Sequence, residues 1–296
     1  MSDDYQLVRL TNGTQTLFSA KYGEKLHPGL GPQAEADLLY VQQLQICERM
    51  RRETGEFVIW DVGLGGAANA VAALRATRDI PGKLRLISFD DTSDPLEFAL
   101  SQSVTLGYLA GYEVPVTELL RHREVAFMNG ALSVHWEFQL SDFPALMLGG
   151  SKTEINIPAP HAVFFDAFSP AKNPAMWTLP IFEEVFRKLD PDRPCALTTY
   201  SRSTLVRATL LLAGFFVGTG PATGLKEETT IAANRPELIT KLLDHRWLQR
   251  AQRSDSAEPL CEPIYSRARL QASTWDRLRD HKQFAPIQGV KIRTEP

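Results

Sequence analysis

Two stretches of the chain hold residue types spaced for chemistry. Residues 61–70 read DVGLGGAANA, and residues 166–177 read DAFSPAKNPAMW. In the first, Gly63 and Gly65 follow an apolar run and precede an Ala-rich one. Without a Cβ, such glycines let a backbone turn tightly and come close to a ligand. A helix starting just behind them offers free N–H groups to the same ligand. Asp61 and Asn69 frame this loop and are expected to contact the same ligand. The next apolar run, LRLISFD, ends on Asp90 with Asp91 behind it. An acid at that strand end accepts hydrogen bonds from ribose hydroxyls. In the second stretch, HAVFF ends on Asp166 and Phe168, two prolines brace the loop, and Trp177 closes it.

The glycines alone leave the nucleotide open. Gly63, Gly65 and Ala68 loosely satisfy the G-x-G-x-x-G/A pattern of NAD and FAD sites. S-adenosyl-L-methionine uses the same strand, loop and helix with a looser glycine pattern. A tight turn that binds nothing is the plain alternative. Asp142, just past a third strand, sits where methyltransferases put an acid near the adenine. The Asp166–Phe168 pair at the fourth strand end and an apparent closing hairpin also favour the methyl donor. Asp166 would hold and orient an amine, while Phe168, Trp177 and Tyr200 would wall its pocket. Against this, Asp166 reads equally as a turn cap, and Trp177 and Tyr200 as core rings. The six histidines show no metal spacing, and His27 alone falls in a segment worth watching.

The elements needed to place these residues can be read from residue 57 onward. FVIWDVG, LRLISFD, ALSVHWEFQL, HAVFFDAF and CALTTY read as strands separated by helical stretches. FFVGTGPATG and EETTIAA read as two further strands. This alternation predicts a Rossmann-like α/β fold: a mostly parallel seven-stranded sheet with an antiparallel edge hairpin. Ahead of it, YQLVRLTNGTQTLFSA predicts a hairpin turning at Asn12-Gly13, and residues 33–53 a single helix. The division expected is 1–55 as a hairpin and helix packed on the core, 56–240 as the Rossmann-like domain, and 241–296 as a helical extension.

Composition narrows the class. The 296 residues are 44% hydrophobic and 23% charged, as in ordinary globular proteins. No window approaches the ~18 apolar residues of a membrane span. The start, MSDDYQLVRL, lacks a signal peptide's apolar core, so a cytoplasmic location is expected. Cys47, Cys195 and Cys261 have no C-x-x-C spacing, which argues against a zinc site or disulfide framework. Net charge is −3, yet residues 241–296 carry 11 Lys and Arg against 7 Asp and Glu. A mildly basic tail is weak support for a nucleic-acid partner.

Several of these stretches together resemble the MnmC methyltransferase family. DAFSPAKNPAMWTLPIFEEVF is similar to that family's DAFAPAKNPEMW-type loop. LTTYSRSTLVRATLLLAGFFV resembles its fifth strand and next helix, GLKEETTIA its closing hairpin, and YGEKLHPGLGPQAEADLLYV its opening segment. The resemblance covers roughly residues 15–235. It implies a class I methyltransferase that moves a methyl group from S-adenosyl-L-methionine to the aminomethyl group of a wobble uridine in tRNA. It assigns Gly63, Gly65, Asp90 and Asp142 to the cofactor and Asp166 to the reacting amine. Glu35, Lys226 and Glu228 match characteristic family positions on the substrate side. The usual G-x-G-T-G-x-N loop departs here, with Ala67 in place of the third glycine, and the arginine of the closing motif is Glu227. No flavin domain is present, so the chain would act as a stand-alone methyltransferase domain. Two rivals remain: a methyl- or aminopropyltransferase for a small amine, and a non-catalytic nucleotide- or RNA-binding Rossmann domain.

Overall fold

The computed structural model describes residues 4–149, 157–224 and 227–285. Lys226 lies outside them. Strands β1 (Tyr5–Arg9) and β2 (Gln15–Ser19) form the expected hairpin, and a two-residue strand β3 (Glu24–Lys25) extends it. The single helix expected next is broken. Helix α1 (Pro32–Ala36) runs into a π-helical turn over Asp37–Gln42, and α2 (Ile46–Arg52) restarts after Gln45 at φ +51°. A π turn closes its hydrogen bonds one residue further along the chain than an α-helix, so it rotates the faces that follow. Here Leu39, Tyr40 and Val41 are buried in succession.

The central sheet is built from β4 (Glu56–Val62), β5 (Gly82–Asp90), β6 (Glu124–Asn129), β7 (Leu132–Leu140), β8 (Ala162–Phe165), β9 (Ala196–Thr199), β10 (Phe216–Gly220) and β11 (Thr229–Ala233). Their order is β10-β11-β9-β8-β4-β5-β7-β6. Five adjacent strands, β9 through β7, run parallel, and β11 is antiparallel to both its neighbours. The sheet thus holds eight strands where seven are expected. The additional one, β6, pairs antiparallel with β7 at the far edge. Its alternating exposed and half-buried residues give a weak strand signal.

Both faces of the sheet are covered, so its strands are apolar on both sides. Along β4, Phe57 and Ile59 join one core while Val58, Trp60 and Val62 join the other. The crossover helices are α3 (Ala68–Thr77), α4 (Asp94–Ser101), α5 (Ser103–Leu106), α6 (Glu113–His122), α7 (Phe143–Met147), α8 (Leu179–Arg187) and α9 (Thr204–Leu212).

Past residue 241 the first helix of the expected helical extension is α10 (His245–Arg253). Asp244 caps it by accepting the Trp247 N–H at 2.9 Å, so the helix starts there. With α11 (Ala272–Arg279), this segment packs Trp247, Leu248, Leu260, Leu278 and Phe284 into the second core. Gln283 then closes the sheet's edge. Its Oε1 accepts the Val217 N–H of β10 at 2.7 Å, and its Nε2 donates to the carbonyls of Val217 (2.9 Å) and Leu243 (2.8 Å). One side chain thereby does the work of a neighbouring strand residue. Gln283→Ala is expected to cost about 2 kcal/mol of unfolding free energy, through the hydrogen bonds lost and the edge N–H left bare. Urea denaturation with an unchanged slope will measure it.

Candidate active site

Strand β4 lies between β8 and β5, where the direction of strand addition reverses, and the crevice at the carboxyl ends of these strands is the ligand position in such folds. A cavity of about 390 Å³ opens there, within the usual range for small-molecule sites. Its floor is the glycine loop. Gly63 has φ +90°, and a Cβ on it would fall 2.8 Å from the Asp166 carbonyl oxygen. Gly65 has φ +50° and donates its N–H to Asp90 Oδ2 at 2.9 Å. Ala67, where the family pattern has its third glycine, is left-handed at φ +63° and precedes α3. L-residues adopt that geometry at a cost of about 1 kcal/mol. Ala67 therefore carries local backbone strain in the loop.

Asp90 and Asp142 line the cavity. Burial pushes the Asp90 carboxyl up to about 7, against the opposing hydrogen bond from Gly65. Asp142 caps α7 by accepting the Ala145 N–H at 2.7 Å. Two expected cofactor contacts sit elsewhere. Asp61 is fully buried behind the loop, where Ser88 donates to its Oδ2 at 2.9 Å, and it does not line the cavity. Asn69 is also buried off the cavity, and its Nδ2 donates to Asp166 Oδ2 at 2.8 Å. It holds the acid instead of the cofactor. Both were expected at the ligand from their places in the loop, but β4 turns Asp61 inward and the first turn of α3 aims Asn69 at β8.

Asp166 follows β8 directly, its N–H bonded to the Val62 carbonyl at 2.8 Å. Phe168 lines the cavity and stacks on Tyr22, with ring centroids 4.0 Å apart. Tyr200 also lines it and donates its hydroxyl to the Ala167 carbonyl at 2.9 Å. Trp177 is not a pocket wall. It is fully buried, packed against Phe165, and its Nε1 donates to the Phe168 carbonyl at 2.7 Å. Its part is to fasten the loop that carries Phe168. Glu228 lies away from the cavity too and pairs with the buried Arg207 of α9 at 2.8 Å. Without Glu228 a buried guanidinium would lose its counter-charge.

Glu35 does reach the cavity, accepting the Leu30 N–H at 2.8 Å and the Gly29 N–H. Burial raises its pKa above the usual carboxylate range. The segment before it supplies residues that sequence reasoning passed over. Tyr22, Glu24 and Lys25 line the cavity, and Glu24 accepts hydrogen bonds from the Ser169 N–H and hydroxyl. His27, whose φ is +52°, sits 3.8 Å from both Glu35 and Asp166. Their signal was the opening segment itself, which carries chemistry as well as a hairpin.

The charge of the wall selects among ligands. Glu24, Glu35, Asp90, Asp91, Asp142 and Asp166 line the cavity, with Lys25 and His27 as the basic residues among its described lining. Such a wall repels a pyrophosphate and favours a cation. A dinucleotide is therefore a poor fit, while a sulfonium nucleoside suits both the acids and the glycine cradle.

Residues 146–235 match a family model described as S-adenosyl-L-methionine-dependent methyltransferase. The chain is similar to the tRNA 5-methylaminomethyl-2-thiouridine biosynthesis bifunctional protein MnmC of Ralstonia nicotianae, 31% identical over 74% of this chain and 33% of that protein. The MnmC protein of Methylibium petroleiphilum is 27% identical over 74% and 33%. The chain thus spans about a third of the length of the curated relatives it matches. Among solved structures, MnmC2 from Aquifex aeolicus shares the fold, with a TM-score of 0.65 and 22% identity over 94% of this chain and 85% of that one. For S-adenosyl-L-methionine, the residues that would hold it are Gly63, Gly65, Asp90 and Asp142. Behind their loop, burial pushes Asp61 up to about 8, far above an unfolded aspartate. The folded chain therefore keeps a proton that the unfolded chain releases between about pH 4 and pH 8, and stability falls as pH rises through that window. Asp61→Asn removes this titration. It is expected to match the parent near pH 4 and exceed it by about 2 kcal/mol at pH 8, by urea denaturation at each pH. The family description agrees with the glycine cradle and acidic wall, and the chain is similar to proteins of the MnmC type across a methyltransferase-like fold.

Proposed function

We propose that the chain N-methylates an amine, namely the aminomethyl group of a modified wobble uridine in tRNA. The observation that carries this reading is Asp166, a carboxylate fixed beside the glycine loop with a stacked aromatic pair next to it. The names of the MnmC relatives, which refer to 5-methylaminomethyl-2-thiouridine biosynthesis in tRNA, support this choice of substrate. A cytoplasmic setting goes with tRNA. Among the described residues no helix is long and apolar enough to cross a membrane.

When bound, S-adenosyl-L-methionine supplies an electrophilic methyl group on a sulfonium. The chain's own residues do the rest. Asp90, at the end of β5, accepts hydrogen bonds from ribose hydroxyls, and the Gly65 N–H keeps its carboxylate aimed. Asn69 fixes one oxygen of Asp166, which leaves the other to accept an N–H of the amine and align its lone pair. Phe168 and Tyr22 offer flat apolar faces on which a pyrimidine stacks. Fastened by Trp177 from below and Glu24 from above, the loop is ordered before a substrate arrives.

The deciding experiment supplies labelled methyl donor with tRNA from cells lacking this modification step. Label in the tRNA wobble nucleoside is expected, whereas label only in small amines would sink the tRNA reading. Asp166→Ala should keep cofactor affinity within about twofold by calorimetry and lower turnover by about 100-fold. Full turnover in that variant would reduce Asp166 to a turn cap.

A further inference from the structure

Methylation needs the amine as a free base, and Asp166 is poorly suited to produce it. An alkyl ammonium has a pKa near 10.4, an aspartate near 3.9 and an imidazole near 6.5. An imidazole is therefore the stronger base by roughly 400-fold. Asp166 is further committed as an acceptor, because Asn69 already donates to its Oδ2. Another group must take the proton.

His27 stands where that group is needed. Its Nε2 lies 3.8 Å from Asp166 Oδ2, its Nδ1 lies 3.8 Å from Glu35 Oε2, and the ring lines the cavity. Its side chain is only 10% exposed. The backbone pays for this placement with φ +52°, a conformation uncommon outside glycine, and such local strain gathers at functional positions. Glu35 is itself pinned by the N–H groups of Gly29 and Leu30, so it does not swing to follow another partner. The three residues come from three places: the loop after β3, helix α1 and the end of β8. The fold has brought an imidazole between two carboxylates.

We propose that His27 is the general base of the reaction, with Glu35 orienting it and Asp166 positioning the amine. This rests on the amine reading above. The substrate enters as an ammonium ion. Its N–H bond breaks, the electron pair stays on nitrogen as the lone pair for attack, and the proton joins His27 Nε2. A hydrogen on Nδ1, directed at Glu35, leaves Nε2 free to accept. The resulting imidazolium is held between Glu35 and Asp166 until water carries the proton away. Catalytic contacts of nearly 4 Å without substrate commonly tighten once it binds.

The test has two arms. In the free protein, NMR titration of the His27 imidazole should give a lower midpoint in Glu35→Gln and in Asp166→Asn than in the parent, by about half a pH unit or more. An unmoved midpoint in both variants would overturn the proposal whatever the substrate proves to be. In the second arm, His27→Asn is used because asparagine tolerates the left-handed backbone. Its kcat at pH 7 should fall by about 100-fold with cofactor affinity unchanged. The deficit should shrink by about tenfold per pH unit as the amine loses its own proton. If His27→Asn has the parent's rate and pH profile on tRNA, the base assignment fails and the tRNA reading stands. If the parent leaves tRNA unlabelled while the imidazole midpoints move as expected, the tRNA reading fails and the His27 pairing stands.

Discussion

The site depends on one close backbone contact. The loop after β4 lies against the peptide at Asp166, and only a glycine at position 63 leaves room for it. Its φ of +90° is a second reason for glycine there. Parallel pairing of β4 with β8 brings the two chain segments to the same level, and the Asp166 N–H to Val62 bond locks the register. The glycine loop and Asp166 are therefore one rigid unit. Reaction geometry follows from sheet register, which is set by the apolar alternation of buried strands and does not rely on flexible side chains.

Around that contact the protein buries polar groups and satisfies them unevenly. Trp136 donates to Ser88, and Ser88 donates to Asp61, a relay running beneath the loop from β7 to β4. Asp61 Oδ1 and Asn69 Oδ1 are buried with no partner among the described residues. Leaving such groups bare costs about 1–3 kcal/mol each, so stability is given up for position close to the chemistry. The buried Arg207 is handled differently, with Thr230, Thr229 and Glu228 all accepting from it. It is a closed structural node, and that explains why a characteristic charged position at Glu228 turns out to serve the fold.

Much of this was legible in the sequence because it is local. Strand, glycine turn and helix follow one another within residues 56–77, and the acid ending β5 needs only the next strand to be found. Gly63, Gly65, Asp90, Asp142, Asp166, Phe168, Tyr200 and Glu35 all come to the cavity. What stayed hidden is what long-range packing decides. Strand periodicity fixes which face a residue takes, but both faces of this sheet are buried. Asp61 was therefore placed at the ligand when it points into the core, and Trp177, on the turn Pro174–Trp177, is turned inward by packing against Phe165. The π turn at Asp37–Gln42 has no composition signature, and β6 is too exposed to read as a strand. His27 was singled out in the sequence, but its approach to Asp166 appears only when the loop after β3 folds back over β8, a juxtaposition across 139 positions of chain (27 to 166).

The cavity wall draws on residues from Tyr5 to Thr223. No nascent chain shorter than 223 residues contains it, and its parallel strands are joined by slow, non-local contacts. Competence to bind therefore appears late in folding, when nearly everything else is in place. A ligand that recognises only this finished state draws the whole population toward it by mass action, by about 2.7 kcal/mol at a hundred times its dissociation constant. The abundance of the methyl donor then sets how much of the chain is folded as well as how fast it works.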